Sequence, residues 1–205
     1  FMEMAICAFA YGRMEKRYFE IIARYNATEL QQFAEALAAL VKGYEEKSDE
    51  AGAWHDELGH IFETTGSLSS AQRMGQFFTP PTVCDLMAKM TDAGPADNDT
   101  SVCDPACGSG RNLIAHSRLH PSNRTNCMYY GMDLDRRCVN MTVLNMVMYG
   151  MRGYVIHMDT LRLECFGGYR IYLPEVGLGI TPLTAGFCKS LVVDQRIQQK
   201  IEDKP

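Results

Sequence analysis

The sequence has one tryptophan, and its apolar residues are nowhere gathered into a long run free of charge. A membrane helix needs about 20 consecutive apolar residues, so no membrane span is expected. No signal-peptide pattern of a basic start, short apolar core and small-residue cleavage site is present, so a cytoplasmic protein is expected. The opening Phe1-Met2 leaves two readings, a start at Met2 or a piece of a longer chain. Positive charge is scarce. The net charge is −5, which argues against unaided, tight binding to DNA. There is no basic run to mark a nucleic-acid surface, so weak, salt-sensitive, sequence-indifferent binding is the most the chain should manage alone. Eight cysteines (7, 84, 103, 107, 127, 138, 165 and 188) lack the paired spacing of a zinc ribbon. Several sit in apolar runs and are expected to be reduced and buried. No metal site is expected. His116 and His120, four apart on one helix, have no evident third ligand. No internal repeat or low-complexity tract is found.

What is present suffices for one core. The 205 residues are 46% hydrophobic, with nine Phe and ten Tyr. Charge divides the chain. Residues 1–72 hold 6 Lys+Arg against 12 Asp+Glu, net −6, and residues 73–205 hold 14 against 13, net +1. An N-terminal helical region over 1–72 and an α/β domain over 73–205 are expected. Residues 3–25 and 28–47 read as helices, the second begun by a Thr28/Gln31 capping box. Leu30, Phe33, Leu37, Leu40 and Tyr44 form one apolar stripe along it. Residues 56–63 read as a third helix and 66–70 as a loop. A further helix over 82–90 carries Val83, Leu86, Met87 and Met90 on one side, and 94–99 reads as a polar turn.

Beyond residue 99 the periodicity alternates. Strands are expected at 100–104, 128–133 and 154–158, and helices at 109–119 and 136–149, with Gly150 just past a helix end. Strand–helix alternation predicts a parallel, doubly wound sheet. The methionines at 141, 146, 148 and 151 read as core. Beyond 160 the pattern weakens. Residues 170–173 and 190–193 could be strands, and Asp194 could cap a last helix.

Three acids punctuate these strands. Asp104 precedes the small-residue turn Pro105-Ala106-Cys107-Gly108-Ser109-Gly110, which leads into a helix. Such a strand–turn–helix unit cradles nucleotide-type ligands. Glycine at 108 and 110 lets backbone approach where a Cβ would collide. The turn departs from the dinucleotide fingerprint G-x-G-x-x-G, because the acid comes before the glycines. A nicotinamide-dependent oxidoreductase is therefore disfavoured. An acid there suits a cofactor with an ammonium group. Asp133 ends the second strand, where a carboxylate can accept bonds from two ribose hydroxyls. Its neighbour Asp135 suits helix capping better. Asp159 ends the third strand and could accept from an adenine amine or cap its own turn. Gly75-Gln76-Phe77-Phe78-Thr79-Pro80-Pro81 lies about 20 residues upstream of the first strand. Its phenylalanines could flank a planar ring or belong to the core, and its prolines fix the approach to the next helix. Arg136-Arg137 reads as a polar first turn, although it could touch phosphate.

Asp-Pro-Ala-Cys-Gly-Ser-Gly at 104–110 resembles the S-adenosylmethionine (AdoMet) loop of N6-adenine DNA methyltransferases, especially the modification subunits of type I restriction systems. Gly-Gln-Phe-Phe-Thr-Pro at 75–80 is similar to that family's segment upstream of the loop. Asp-Glu-Leu-Gly-His-Ile-Phe-Glu at 56–63 looks like the helix before it. Gly131-Met132-Asp133 and Asp159-Thr160-Leu161 match its ribose and adenine positions. The likeness spans roughly 55–165. It implies an AdoMet-methyltransferase (Rossmann-like) sheet, incomplete at the C-terminus, with an N-terminal helical region. The cofactor residues it implies are Gln76, Phe77, Phe78, Thr79 and Pro80, then Asp104, Ala106, Cys107, Gly108, Ser109 and Gly110, then Asp133, Leu134, Asp159 and Thr160. DNA would be the partner, reached through a specificity subunit or a recognition domain, and a homo-oligomer is conceivable. One family element is missing. The Asn/Asp-Pro-Pro-Tyr/Phe unit, which accepts the target amine's hydrogens and stacks the flipped base, occurs nowhere. The only Pro-Pro is Pro80-Pro81, and Asp194 is the sole acid near the suggested fourth strand. Two readings follow: an adenine-N6 methyltransferase whose catalytic unit is degenerate or supplied elsewhere, or a non-catalytic AdoMet-binding or assembly module.

Overall fold

In the computed structural model, residues 1–48, 54–65, 77–92, 94, 100–119, 126–172 and 179–192 are described. Four helices come first: α1 (Met2–Phe9), α2 (Glu15–Ile22), α3 (Ala27–Ser48) and α4 (Glu57–Thr65). The single helix expected over 3–25 is broken in two. Tyr11 and Gly12 both take positive φ, +47° and +84°, and a right-handed helix cannot pass through that conformation. The start of α3 also differs from expectation. Asn26 and Glu29, not Thr28 and Gln31, make the capping box. The Glu29 N–H donates to Asn26 Oδ1 at 3.0 Å and the Asn26 N–H donates to Glu29 Oε2 at 2.8 Å. Gln31 donates to Glu35 one turn on. The apolar stripe of α3 packs as expected, with Leu40 and Tyr44 buried and Leu30, Phe33 and Leu37 lying against the same core.

The sheet follows α5 (Pro81–Thr91). Its elements are β1 (Ser101–Asp104), α6 (Arg111–Leu119), β2 (Met128–Asp133), α7 (Arg136–Met148), β3 (Arg152–Asp159), β4 (Glu164–Tyr172) and β5 (Gly179–Leu183). Strand order is β1-β2-β3-β4-β5. β1, β2 and β3 are parallel, joined through α6 and α7. β4 and β5 run antiparallel, so the sheet is mixed and the expected all-parallel arrangement holds only to β3. The reason is loop length. Residues 160–163 alone separate β3 from β4, whereas a parallel crossover needs a dozen or more residues. Residues 190–192, expected to begin a strand, instead belong to helical residues 185–192. The positions of Asp194, His120, the 66–70 loop and most of the 94–99 turn lie outside the described residues.

One core cluster joins α1, α3 and α7 to β2, β3, β4 and β5. α1 packs on α7, α2 and β5, burying Met4, Ala5, Ile6 and Cys7. The methionines of α7 and its end are core, with Met141, Met146 and Met151 fully enclosed. Six of the eight cysteines are buried, and all eight are free thiols. α5 contradicts its sequence pattern. Cys84 and Ala88 face α6, because small side chains let two helices approach closely. The expected apolar side, Val83, Leu86, Met87 and Met90, is 41–77% exposed. Among the described residues, no helix is long and apolar enough to cross a membrane.

Candidate cofactor site

The turn after β1 is held from four directions. The Cys107 N–H donates to Met132 O of β2 at 2.8 Å, and the Gly110 N–H closes the turn on Cys107 O at 2.7 Å. Thr142 Oγ1 of α7 donates to Gly108 O at 2.9 Å. The Gly108 N–H donates to Asp133 Oδ2 at 2.9 Å. Gly108 and Gly110 take φ +56° and +91°, and a Cβ on Gly108 would stand 2.9 Å from the Phe78 ring. Only glycine therefore permits this contact between turn and ring.

Both strand-end acids of the β1–β2 pair serve the turn. Asp104 accepts from the Ala106 N–H at 3.1 Å and from Asn112 Nδ2 at 3.0 Å. Asp133 Oδ1 accepts from the Asp135 N–H at 2.8 Å. Each Asp133 oxygen thus receives one bond and keeps a free lone pair. Burial raises the Asp133 pKa, and the nearby Asp135 and Asp104 charges add to this. The two backbone N–H donors oppose it without cancelling it. Asp135 caps α7 by accepting from the Arg137 N–H at 2.8 Å, as the sequence suggested, and its carboxylate also holds the Arg137 guanidinium.

These residues border a cavity of about 190 Å³ lined by Phe77, Phe78, Thr79, Ala106, Cys107, Gly108, Ser109, Arg111, Asn112, Asp133 and Cys138. Eight of the expected cofactor residues are therefore brought together. Pro80, Asp104, Gly110, Leu134, Asp159 and Thr160 do not line it, and Gln76 lies outside the described residues. Asp159 turns back on its own chain, accepting from the Leu161 and Arg162 N–H groups at 3.0 and 2.9 Å. The Leu134 side chain is exposed.

Arg111, Asn112 and Cys138 were not anticipated. Arg111 belongs to a buried network. Its side chain is 9% exposed and that of Asp56 is 2% exposed. Arg111 Nε donates to Asp56 Oδ2 at 2.8 Å, and its terminal nitrogens reach Glu63 at 2.8 Å and Thr79 O at 3.3 Å. Its guanidinium also lies 5.2 Å from the Phe78 ring centre. Burial would lower the Arg111 pKa, yet the hydrogen bonds to Glu63 and Asp56 leave it raised. Asp56 is fully engaged. It also accepts from Ser109 Oγ, from the Gly59 N–H and from Asn145 Nδ2, and Asn145 in turn accepts from Tyr44 Oη of α3. One arginine thus ties the glycine turn to α4 and to the aromatic wall. The sequence carried a signal for this, since Asp56 and Glu63, seven apart, share one side of a helical segment.

Three observations test the fit of a nucleoside cofactor with an amino-acid tail. The glycine cradle is one a Cβ would fill. Two faces of the cavity are phenylalanine, Phe77 being 81% exposed. Asn112 Oδ1, on the lining, is buried without a hydrogen-bond partner, and an ammonium or hydroxyl donor would supply one. The Cys107 and Cys138 thiols border the same space, and burial holds both pKa values well above the usual thiol range, so they stay neutral and apolar. No group of three or more potential metal ligands occurs among the described residues. A larger cavity of about 430 Å³ lies across the first turn of α7, but it lacks the glycine turn and its paired acids.

Residues 53–169 match the family model described as N-6 DNA Methylase. The methylase subunit of the type I restriction enzyme MjaVII from Methanocaldococcus jannaschii is 30% identical over 146 residues, 70% of this chain and 23% of the relative. The MpnII methylase subunit from Mycoplasma pneumoniae is 28% identical over 113 residues, 52% of this chain and 21% of the relative. The chain thus spans about a fifth of the length of these relatives. A modification subunit of a putative type I restriction enzyme from Vibrio vulnificus overlays 51% of this chain and 23% of its own, at 19% identity and TM-score 0.41.

Proposed function

As the chain belongs to the N-6 DNA methylase family, we propose that it forms the AdoMet-binding part of a type I modification methylase acting on the N6 amine of adenine in DNA. The observation that carries this reading is the convergence of the glycine turn, Asp133 and Phe78 on one cavity. When bound, AdoMet supplies a methyl group on a sulfonium, open to attack by an amine. The rest is work for the chain. Asp133, with one free lone pair on each oxygen, accepts from the ribose hydroxyls. Asn112 Oδ1, buried without a partner of its own, is the acceptor an ammonium would meet, and Asp104 orients that amide by accepting from Asn112 Nδ2. Phe77 and Phe78 provide apolar faces for the adenine ring, and Cys107 and Cys138 exclude water. Asp159 and Thr160 are left out of this set, because neither lines the cavity.

Methyl transfer is not assigned to this chain by itself. The sequence has no Asn/Asp-Pro-Pro-Tyr/Phe unit, the element that in the family accepts the amine's hydrogens and stacks the flipped base. Further polypeptide would supply that unit and, with a specificity subunit, the contact to a defined DNA sequence. This favours the reading of a cofactor-binding module over that of a self-sufficient enzyme. Titration calorimetry with AdoMet and with NAD tests the proposal. Micromolar AdoMet binding, about −8 kcal/mol, with none for NAD, is expected. Binding of NAD alone would overturn it. Mass spectrometry of nucleosides from adenine-rich DNA incubated with the chain and AdoMet should find no N6-methyladenine.

A further inference from the structure

The larger cavity, about 430 Å³, lies between α1, α2 and the β4–β5 pair. Its charges come from separate parts of the chain. Arg13, Lys16 and Arg17 line it from the α1–α2 corner, and Arg136 lines it from the first turn of α7. The two carboxylates present, Glu3 and Glu20, are both already engaged. Arg17 binds Glu3 at 2.8 Å and Glu20 at 3.2 Å, and Arg136 also reaches Glu3 at 3.0 Å. Four cations against two acids leave an excess of positive charge in a chain whose net charge is −5. Arg13 and Lys16 are exposed and have no carboxylate partner among the described residues. Arg13 is steadied by the Tyr172 ring, 5.2 Å away.

Part of the lining is aromatic. His157 and Phe166 pack with ring centres 4.9 Å apart, and Phe166 is 51% exposed. His157 is fixed through Nε2 against Leu134 O at 3.0 Å. A backbone-tracking cationic groove beside an open aromatic face is the arrangement that binds unpaired nucleotides, with cations on phosphate and rings on bases. Position supports this. The first turn of α7 lies between the two cavities, with Cys138 lining the cofactor cavity and Arg136 and Val139 lining the groove.

We infer that this groove binds single-stranded nucleic acid, with phosphodiesters on Arg13, Lys16 and Arg136 and an unpaired base on Phe166. The site is separate from the cofactor cavity, and its test is kept separate too. Fluorescence anisotropy of the chain with a labelled single strand of roughly 10 nucleotides should give saturable binding. Three phosphate contacts predict a log–log salt slope of about −2. The pair Arg13→Glu and Lys16→Glu should weaken binding at least ~10-fold, and Phe166→Ala about 5-fold. Inorganic phosphate should compete only poorly, and a matched duplex should bind more weakly than the single strand. Affinity unchanged by the charge reversals would overturn the inference. So would duplex binding equal to single-strand binding and indifferent to Phe166→Ala, or full displacement by inorganic phosphate. Lys16→Glu alone, at an exposed residue, covers the case in which the double variant fails to fold and should still weaken binding measurably. Calorimetry with AdoMet on the same variants should be unchanged. Oligonucleotide binding without AdoMet binding would sink the cofactor reading and leave the groove standing, and the converse would do the opposite.

Discussion

The ends of β2 and β3 look alike in sequence, each an apolar strand closed by an acid. In the fold only one of them reaches beyond its own segment. Asp133 faces the glycine turn of the neighbouring strand and receives the Gly108 N–H. Asp159 closes on the two N–H groups that follow it. The difference lies in what comes next. After β2 the chain enters α7 and crosses over, so a separate residue, Asp135, caps that helix. After β3 it reverses within residues 160–163 into an antiparallel strand, and Oδ1 of the strand-end acid holds the reversal. Both acids accept an N–H two residues on, but only Asp133 also reaches the neighbouring turn and lines the cavity.

The largest effect expected from this contrast is in stability. The cofactor end is held by buried charges and the β3 end by a local turn. Arg111→Ala would strand Asp56 in the interior and should cost about 3–5 kcal/mol, read as a lowered urea midpoint. Asp159→Asn should cost no more than about 1.5 kcal/mol. Equal losses would show that the Asp56–Arg111 pair is not the clamp described here.

Next comes the turn itself. Gly108→Ala forces a Cβ against Phe78 at a positive φ and should destabilise by about 1–3 kcal/mol, with loss of AdoMet binding by calorimetry. A crystal structure of this variant with Phe78 unmoved would refute the close-approach argument.

Ligand affinity separates the two acids directly. Asp133→Asn should weaken AdoMet at least about 10-fold, the worth of one charge-assisted hydrogen bond, while Asp159→Asn should leave it within about twofold. The reverse ranking would return the adenine contact to Asp159 and break the comparison.

The smallest effect is a pH dependence. Burial raises the folded pKa of Asp133 above its ordinary 3.8. Its contribution to stability is therefore fully present below that value and is lost as pH rises through the folded pKa. Asp133→Asn, which does not titrate, should gain on the parent over that rise, seen in urea midpoints between about pH 3 and 7. An advantage that grows instead on acidification would mean that hydrogen bonding, not burial, governs the group.

Much of the fold was legible. β2 has the bounds its apolar run suggested, and α6 starts two residues later than expected, after Gly110. Asp135 capped its helix, and Gly150 took φ +59° just beyond it. Each of these depends on neighbours within a turn. The misreadings have tertiary causes. Val83, Leu86, Met87 and Met90 make the better apolar side of α5, yet α6 meets the side carrying Cys84 and Ala88, where close packing is possible. The 190–193 run has the composition of a strand, but its described residues 190–192 continue a helix that buries Cys188 beside β3. The candidate site was half legible. The turn and Asp133 were visible as a motif, whereas Arg111 looked like any helix-starting arginine.

The sequence by itself determined the glycine turn, the acid before it and the acid at the next strand end, because each is specified by chemistry local to a strand–turn–helix unit. It determined also that the Asn/Asp-Pro-Pro-Tyr/Phe unit is absent. Tertiary structure alone decided which strand-end acid faces the cavity, that Asp56 and Arg111, 55 residues apart, form its buried clamp, and that an acidic chain gathers Arg13, Lys16 and Arg136 into one groove. The physical reason is the same in each case. Net charge and periodicity sum over the chain without regard to place, while Coulomb interaction and desolvation depend on distances that only packing sets.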